Sequence, residues 1–129
     1  MAKILILDDD ELGNELVSYL LASEGITDYE FQTSAEDALD YLEKCRKENN
    51  FPAIMFVDIN MPGMNGFDYV TQYEERYRKE SPHTHVVMLT NSVLSSEKQL
   101  ARSYESISDF WNKPLSPVKL KKMMESFKI

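Results

Sequence analysis

The stretch Ala53-Ile54-Met55-Phe56-Val57-Asp58-Ile59-Asn60-Met61-Pro62-Gly63-Met64-Asn65-Gly66 decides how the rest of the chain is read. Five apolar residues, Ala53 to Val57, stop abruptly at a carboxylate, Asp58. An unbroken apolar run of this kind fits a strand covered on both faces, as in a parallel sheet. Asp58 therefore falls at a strand's carboxyl end. In open α/β sheets that edge is where ligands bind, and the following Pro62-Gly63 and Asn65-Gly66 pairs supply the sharp turns of a strand-to-helix loop. Taken alone, Asp58 reads better as a turn residue that bonds its own backbone.

The same pattern recurs on either side. Ile4-Leu5-Ile6-Leu7 ends on Asp8-Asp9-Asp10, and Val86-Val87-Met88-Leu89 closes on Thr90. Two weaker segments, Thr27 to Thr33 and Ile107 to Asn112, alternate apolar with polar residues, as strands at a sheet edge do. Between the strands lie helical patterns. Leu12, Leu16, Val17 and Leu20 recur at helical spacing before Gly25, which is placed to end that helix in a left-handed cap. Ser34 heads a Ser-Ala-Glu-Asp capping box, followed by an apolar stripe of Ala35, Ala38, Leu39 and Leu42. Phe67, Val70, Tyr73 and Tyr77 trace a third helix, ended by Ser81-Pro82. A fourth, polar apart from Leu100, Ala101 and Tyr104, lies within Ser95 to Ser106. Ser116-Pro117 then starts a fifth with an N-cap and a proline at the first helical position; Leu120, Met123, Met124 and Phe127 give it a buried face.

Strict alternation of five strands and five helices predicts an α/β, flavodoxin-like (βα)5 doubly wound parallel sheet. The three apolar strands are interior and the two alternating ones are edges, which the strand order 2-1-3-4-5 satisfies. In that order strands one and three are neighbours at the topological switch point. Asp8, Asp9 and Asp58 then converge on one crevice, with Thr90 and Lys113 at the ends of the next two strands.

Composition bounds the function. With 129 residues, 43% hydrophobic and 28% charged, the chain is predicted to be one ordinary domain over its full length. No apolar run approaches the roughly 18 residues of a membrane span, and Met1-Ala2-Lys3 leads into a strand instead of a signal peptide, which points to the cytoplasm. The lone Cys45 excludes an internal disulfide and reads as a small helix side chain. A formal charge of −8 argues against direct nucleic-acid binding and favours a cationic ligand or a protein partner.

Charge also dictates the chemistry. Two carboxylates ~4 Å apart repel by roughly 4 kcal/mol at an effective dielectric near 20, so three together need a cation. A cluster of aspartates without His or Cys suits Mg²⁺, which takes hard oxygen ligands, waters and a phosphate. His83 and His85 lie at the opposite end of strand four and read as ordinary loop residues. With metal and Lys113 aimed at one point and Thr90 able to bond a further oxygen, Asp58 is the candidate nucleophile toward a phosphoryl group. Each residue alone has a plain structural explanation; Asp9 and Asp10 could merely cap a helix. Five of them at the ends of four strands in the required order do not.

Four motifs stand at these ends: Ile-Leu-Asp-Asp-Asp, Val-Asp-Ile-Asn-Met-Pro-Gly-Met-Asn-Gly, Leu-Thr-Asn and Phe-Trp-Asn-Lys-Pro. In them the chain resembles, over essentially its whole length, the receiver domain of bacterial two-component response regulators, of the single-domain chemotaxis-regulator type. The resemblance implies that Asp58 accepts a phosphoryl group from a phosphohistidine on a sensor histidine kinase or histidine phosphotransfer protein. It further implies that Asp9 and Asp58 bind Mg²⁺ through their side chains and Asn60 through its backbone carbonyl, with Asp8 holding a coordinated water. Thr90 and Lys113 would contact the phosphoryl oxygens, the Lys113-Pro114 bond would be cis, and Thr90 with Phe110 would form the switch. Asn60, Asn91 and Ser92 are the positions where side chains would tune the exchange rates.

Three features depart from that pattern. Asn91 stands where a small residue is usual, Ser106-Ile107 replaces a Gly-Ala pair, and Phe110 lacks a tyrosine's hydroxyl. Because the chain ends one helix after Lys113-Pro114, output is expected to pass through an unknown downstream protein, with no catalysis beyond its own phosphorylation and dephosphorylation. The alternative is a Mg²⁺-dependent aspartyl-phosphate phosphatase similar to the haloacid dehalogenase group, but Asp58-Ile59-Asn60 lacks that group's second acid. A flavin-binding module is opposed by Asp8-Asp9-Asp10, which would repel phosphate where such a site must cradle it.

Overall fold

The computed structural model describes residues 3–91 and 94–128. Among them five strands, β1 (Ile4–Leu7), β2 (Tyr29–Gln32), β3 (Ile54–Asp58), β4 (His85–Thr90) and β5 (Ile107–Asn112), form one parallel sheet in the order β2-β1-β3-β4-β5. The helices between and after them are α1 (Glu11–Ser23), α2 (Ala35–Glu48), α3 (Gly66–Arg76), α4 (Ser95–Arg102) and α5 (Pro117–Ser126). A short 3-10 turn, Arg78–Glu80, carries α3 toward Ser81.

Successive side chains of a strand point to opposite faces, and here that period divides the core in two. Leu5, Leu7, Met55, Val57, Val86 and Met88 pack with α2, α3 and Ala101 of α4. Ile4, Ile6, Ile54, Phe56, Val87 and Leu89 pack on the other face with Leu21 of α1 and with Leu120 and Met123 of α5. Interior strands must supply both layers, which is why they read as unbroken apolar runs. The edge strands β2 and β5 are mostly only partly buried. The β4–β5 ladder slips at Val86/Val87, where Val87 pairs with Asp109 and Ser108 is the extra residue of a bulge.

Three expectations are corrected. On α1 only half of the expected stripe faces the sheet: Val17 and Leu20 pack against the core, but Leu12 and Leu16 are 65% and 62% exposed, and Tyr19 is 71% exposed. Asn14 and Leu21, buried and at helical spacing from Val17, complete the inward stripe. Ser34 accepts from the Asp37 amide, whereas the reciprocal capping box with both bonds made is at Asn65 and Asp68. His85 is no loop residue; it opens β4, its ring stacked on Phe127 at 3.8 Å, at the end of the sheet away from Asp58. Other local expectations hold. Gly25 has a positive φ of 76°, Ser116 caps α5 with Pro117 in its first turn, and Cys45 is a buried helix side chain. No helix among the described residues is long and apolar enough to cross a membrane.

Candidate functional site

Because β1 and β3 are hydrogen-bonded neighbours in register, Leu7 opposite Val57, the chain delivers Asp8 and Asp58 side by side as the two strands end. Both are nearly enclosed, at 4% and 5% exposure, while Asp9 faces solvent. One carboxylate oxygen from each of Asp8, Asp9 and Asp58 lies within 4.8 Å of the others. Asp10 turns away from this cluster; its side chain accepts from the Leu12 amide and caps α1. The three aspartates after β1 thus divide into two in the carboxylate cluster and one cap.

Lys113 enters from the far side. Its amide donates to the Thr90 carbonyl at 2.8 Å, just past the last β4–β5 pair, and the Lys113-Pro114 peptide is cis. Its ammonium lies 2.6 Å from Asp8 Oδ2 and 3.3 Å from Asp58 Oδ1. The electrostatics follow from burial. Asp58 is pushed up to about 6, first by desolvation and then by the charge of Asp8, with Lys113 opposing both. For Lys113 burial pulls the other way, but the hydrogen bond and charge of Asp8, together with Asp58, leave its pKa raised. Three carboxylates and one ammonium leave the cluster negative. The donor set is all oxygen, hard and open to solvent at Asp9, and therefore fits Mg²⁺.

Thr90 ends β4 completely buried. Its hydroxyl donates to Glu97 Oε1 of α4 at 3.2 Å. Phe110 pairs in register with Met88, two residues before Thr90, and so lies on the same face of the sheet, half-buried against the α3–α4 layer. Asn60 and Asn91 are exposed on the loops after β3 and β4; Ser92 lies outside the described residues.

The receiver-domain model of response regulators matches residues 4–125. The chain belongs to the response regulator receiver domain family. The heme response regulator HssR of Staphylococcus epidermidis is 36% identical over 114 residues, covering 88% of this chain and 46% of HssR. Hybrid signal transduction histidine kinase C of Dictyostelium discoideum is 32% identical over 119 residues, covering 89% of this chain and 9% of the kinase. Among solved structures, the chemotaxis response regulator CheY4 of Vibrio cholerae superposes with a TM-score of 0.79 at 28% identity, covering 98% of both chains. The receiver thus spans about half of HssR and under a tenth of the kinase. Receiver domains are signalling domains that take phosphoryl groups from histidine kinases. None of these relatives is a phosphatase, and the haloacid-dehalogenase-like alternative has no support.

The receiver's site also holds residues that motif reading does not reach. Glu97 is one. Gly66 is another: a Cβ there would stand 2.3 Å from the Asp58 carbonyl oxygen, so the β3–α3 loop packs directly on the backbone of the central aspartate. The departure at Ser106 is explained by Glu74 of α3, whose Oε2 accepts from both the Ser106 amide (3.0 Å) and its hydroxyl (2.6 Å). Asn14 donates to the Asp8 carbonyl at 3.0 Å from the inward face of α1. Of these positions the sequence marks only the Asn65-Gly66 pair, as a turn and not as a contact. Glu97, Glu74 and Asn14 sit among ordinary helix residues with no distinguishing pattern.

Proposed function

We propose that this receiver domain accepts a phosphoryl group on Asp58 from a phosphohistidine of a sensor kinase or phosphotransfer protein. The reading rests on one observation: a buried carboxylate at the end of the central strand, bridged by Lys113 to a second carboxylate at the topological switch point. An Asp58 oxygen attacks phosphorus, the phosphorus–nitrogen bond of the donor breaks, and the electron pair leaves with the imidazole. Above about pH 6 Asp58 is ionised and able to attack. Lys113, already 3.3 Å from Asp58 Oδ1, neutralises charge on the incoming oxygens, and the Thr90 hydroxyl bonds one of them. Mg²⁺, held by Asp9, Asp58 and the Asn60 carbonyl with Asp8 acting through a water, would supply further positive charge to those oxygens. Asn60 and Asn91 flank the pocket mouth, where they govern access of water and donor; Ser92 belongs with them by sequence.

The donor protein docks on α1. Leu12, Leu16 and Tyr19 are exposed beside a groove of about 470 Å³ that runs from Asp8 and Lys113 between α1 and the β5–α5 loop. Output passes to a downstream protein across α4, β5 and α5, where Lys119, Lys121 and Lys122 are exposed. The domain's chemistry is limited to gaining and losing its own phosphoryl group. We place it in the cytoplasm, in keeping with its free, buried Cys45.

Asp58→Asn is expected to abolish labelling by acetyl phosphate, read by intact-protein mass, with an unchanged circular dichroism spectrum. Stoichiometric labelling of that variant would overturn the assignment.

A further inference from the structure

We infer that Glu97 is a positioning residue that holds Thr90 in the unphosphorylated receiver and must release it before Thr90 can bond a phosphoryl group. This rests on the proposed role of Asp58. Thr90 is wholly buried, and its hydroxyl donates to Glu97 Oε1 at 3.2 Å. A hydroxyl carries one proton. Thr90 can therefore donate to Glu97 or to a phosphoryl oxygen, but not to both at once, and every phosphoryl ligand of Asp58 competes with α4 for that proton.

The placement of α4 turns this competition into movement. Its N-cap position is Leu94, whose side chain has no oxygen to accept from the first-turn amides. Glu97 lies in that first turn, where the helix dipole favours its charge, and it ties the turn to the end of β4. The other end of α4 is fastened to α3. Tyr104 stacks on Phe67 at 5.8 Å and its hydroxyl is 2.9 Å from Thr71 Oγ1, while Ser106 is bound twice by Glu74. Releasing Glu97 unfastens the amino end and leaves the carboxyl end held. Phosphorylation drives the release by competing for the Thr90 proton. α4 then pivots about Tyr104–Ser106, and its amino-terminal turn moves most.

Beryllofluoride with Mg²⁺, an analogue of the phosphoryl group, tests this when titrated into wild type, Glu97→Ala, Glu97→Gln, Thr90→Ala and the Thr90→Ala/Glu97→Ala double variant, followed by amide resonances. Glu97→Ala is expected to bind about ten- to a hundredfold tighter than wild type, the worth of one hydrogen bond to a charged acceptor. Glu97→Gln, which keeps an acceptor oxygen without the charge and keeps the helix polar, falls between. In the ligand-free Glu97→Ala protein, resonances at the start of α4 shift and those of Tyr104 to Ser106 stay in place. In the Thr90→Ala background removing Glu97 changes affinity less than twofold. Equal affinity of the Glu97 variants and wild type overturns the inference. So does the full gain persisting without the Thr90 hydroxyl, because that is simple charge repulsion and no latch. Failure of wild type and every variant to bind instead overturns the Asp58 reading beneath it.

Discussion

Asp58 is enclosed beside Asp8, and its ionised form is tolerated only through Lys113. Burial raises its folded pKa from 3.8 to about 6, so the folded protein holds that proton more tightly than the unfolded chain does. The stabilising contribution of the protonated carboxyl is complete below the unfolded value and is lost as pH rises through about 6. Ionised Asp58 therefore costs stability at neutral pH. In metal-free buffer at pH 7.5, Asp58→Asn is expected to be more stable than wild type by about 1–3 kcal/mol in urea denaturation. The difference should shrink toward zero by about pH 4; a difference independent of pH would show that the carboxylate is not strained. Asp9 plays a different part, since it is exposed and reaches the cluster without being buried in it. Asp9→Ala is expected to weaken Mg²⁺ binding by at least about tenfold in calorimetric titration, the loss of a direct carboxylate ligand being at least as costly as loss of an outer partner. An unchanged titration would make Asp9 a loop residue only.

The secondary-structure elements explain why the site stays assembled. The β3–α3 loop closes because Gly66 donates its amide to the Ile59 carbonyl at 2.9 Å and presents no side chain to the Asp58 backbone. Asn65 and Asp68 then cap α3 reciprocally. Gly63 in the same loop differs: it has a positive φ of 76° but open space around its Cα. Gly66→Ala is therefore expected to cost roughly 2 kcal/mol or more, as backbone must move, and to slow acetyl phosphate labelling. Gly63→Ala should cost about 1 kcal/mol, from strain alone, with labelling little changed. Denaturation and labelling rates measured on both variants check the contrast, and equal losses would contradict it. The pair Ser106 and Glu74 is another such fastening, and Ile107 after it simply joins the core layer of α3 and α4.

On the scale of the whole molecule, the groove beside the site is bounded unequally. α1 carries Glu11 and Glu15 with exposed Leu12, Leu16 and Tyr19 and no lysine or arginine, whereas α5 carries Lys119, Lys121 and Lys122. Such a surface suits a donor helix that brings apolar contact to α1 and basic residues to its acidic edge. Leu16→Asp is expected to lower the ratio of kinase-driven to acetyl-phosphate-driven labelling about tenfold, because a small donor needs no docking. A ratio equal to wild type would move the docking surface elsewhere.

The sequence by itself determined the strands, their order and the converging site. A strand buried on both faces must be apolar at every position, so Ile4 to Leu7, Ile54 to Val57 and Val86 to Leu89 announce the interior of the sheet. The first polar residue after each then marks the edge where Asp8, Asp58 and Thr90 gather. Caps such as Asp10, Ser34 and Ser116 are legible for the same reason, being short-range bonds written within a few residues. Only the tertiary structure decided which part of the α1 stripe turns inward, since Leu12, Leu16, Val17 and Leu20 all fit helical spacing and of these the sheet covers Val17 and Leu20 alone. It also decided that Glu97 takes the Thr90 proton, that Glu74 takes Ser106, and that Gly66 touches Asp58. Those contacts join different elements, and their distances are set by how α3 and α4 seat on the sheet, a geometry to which no local pattern of residues is tied.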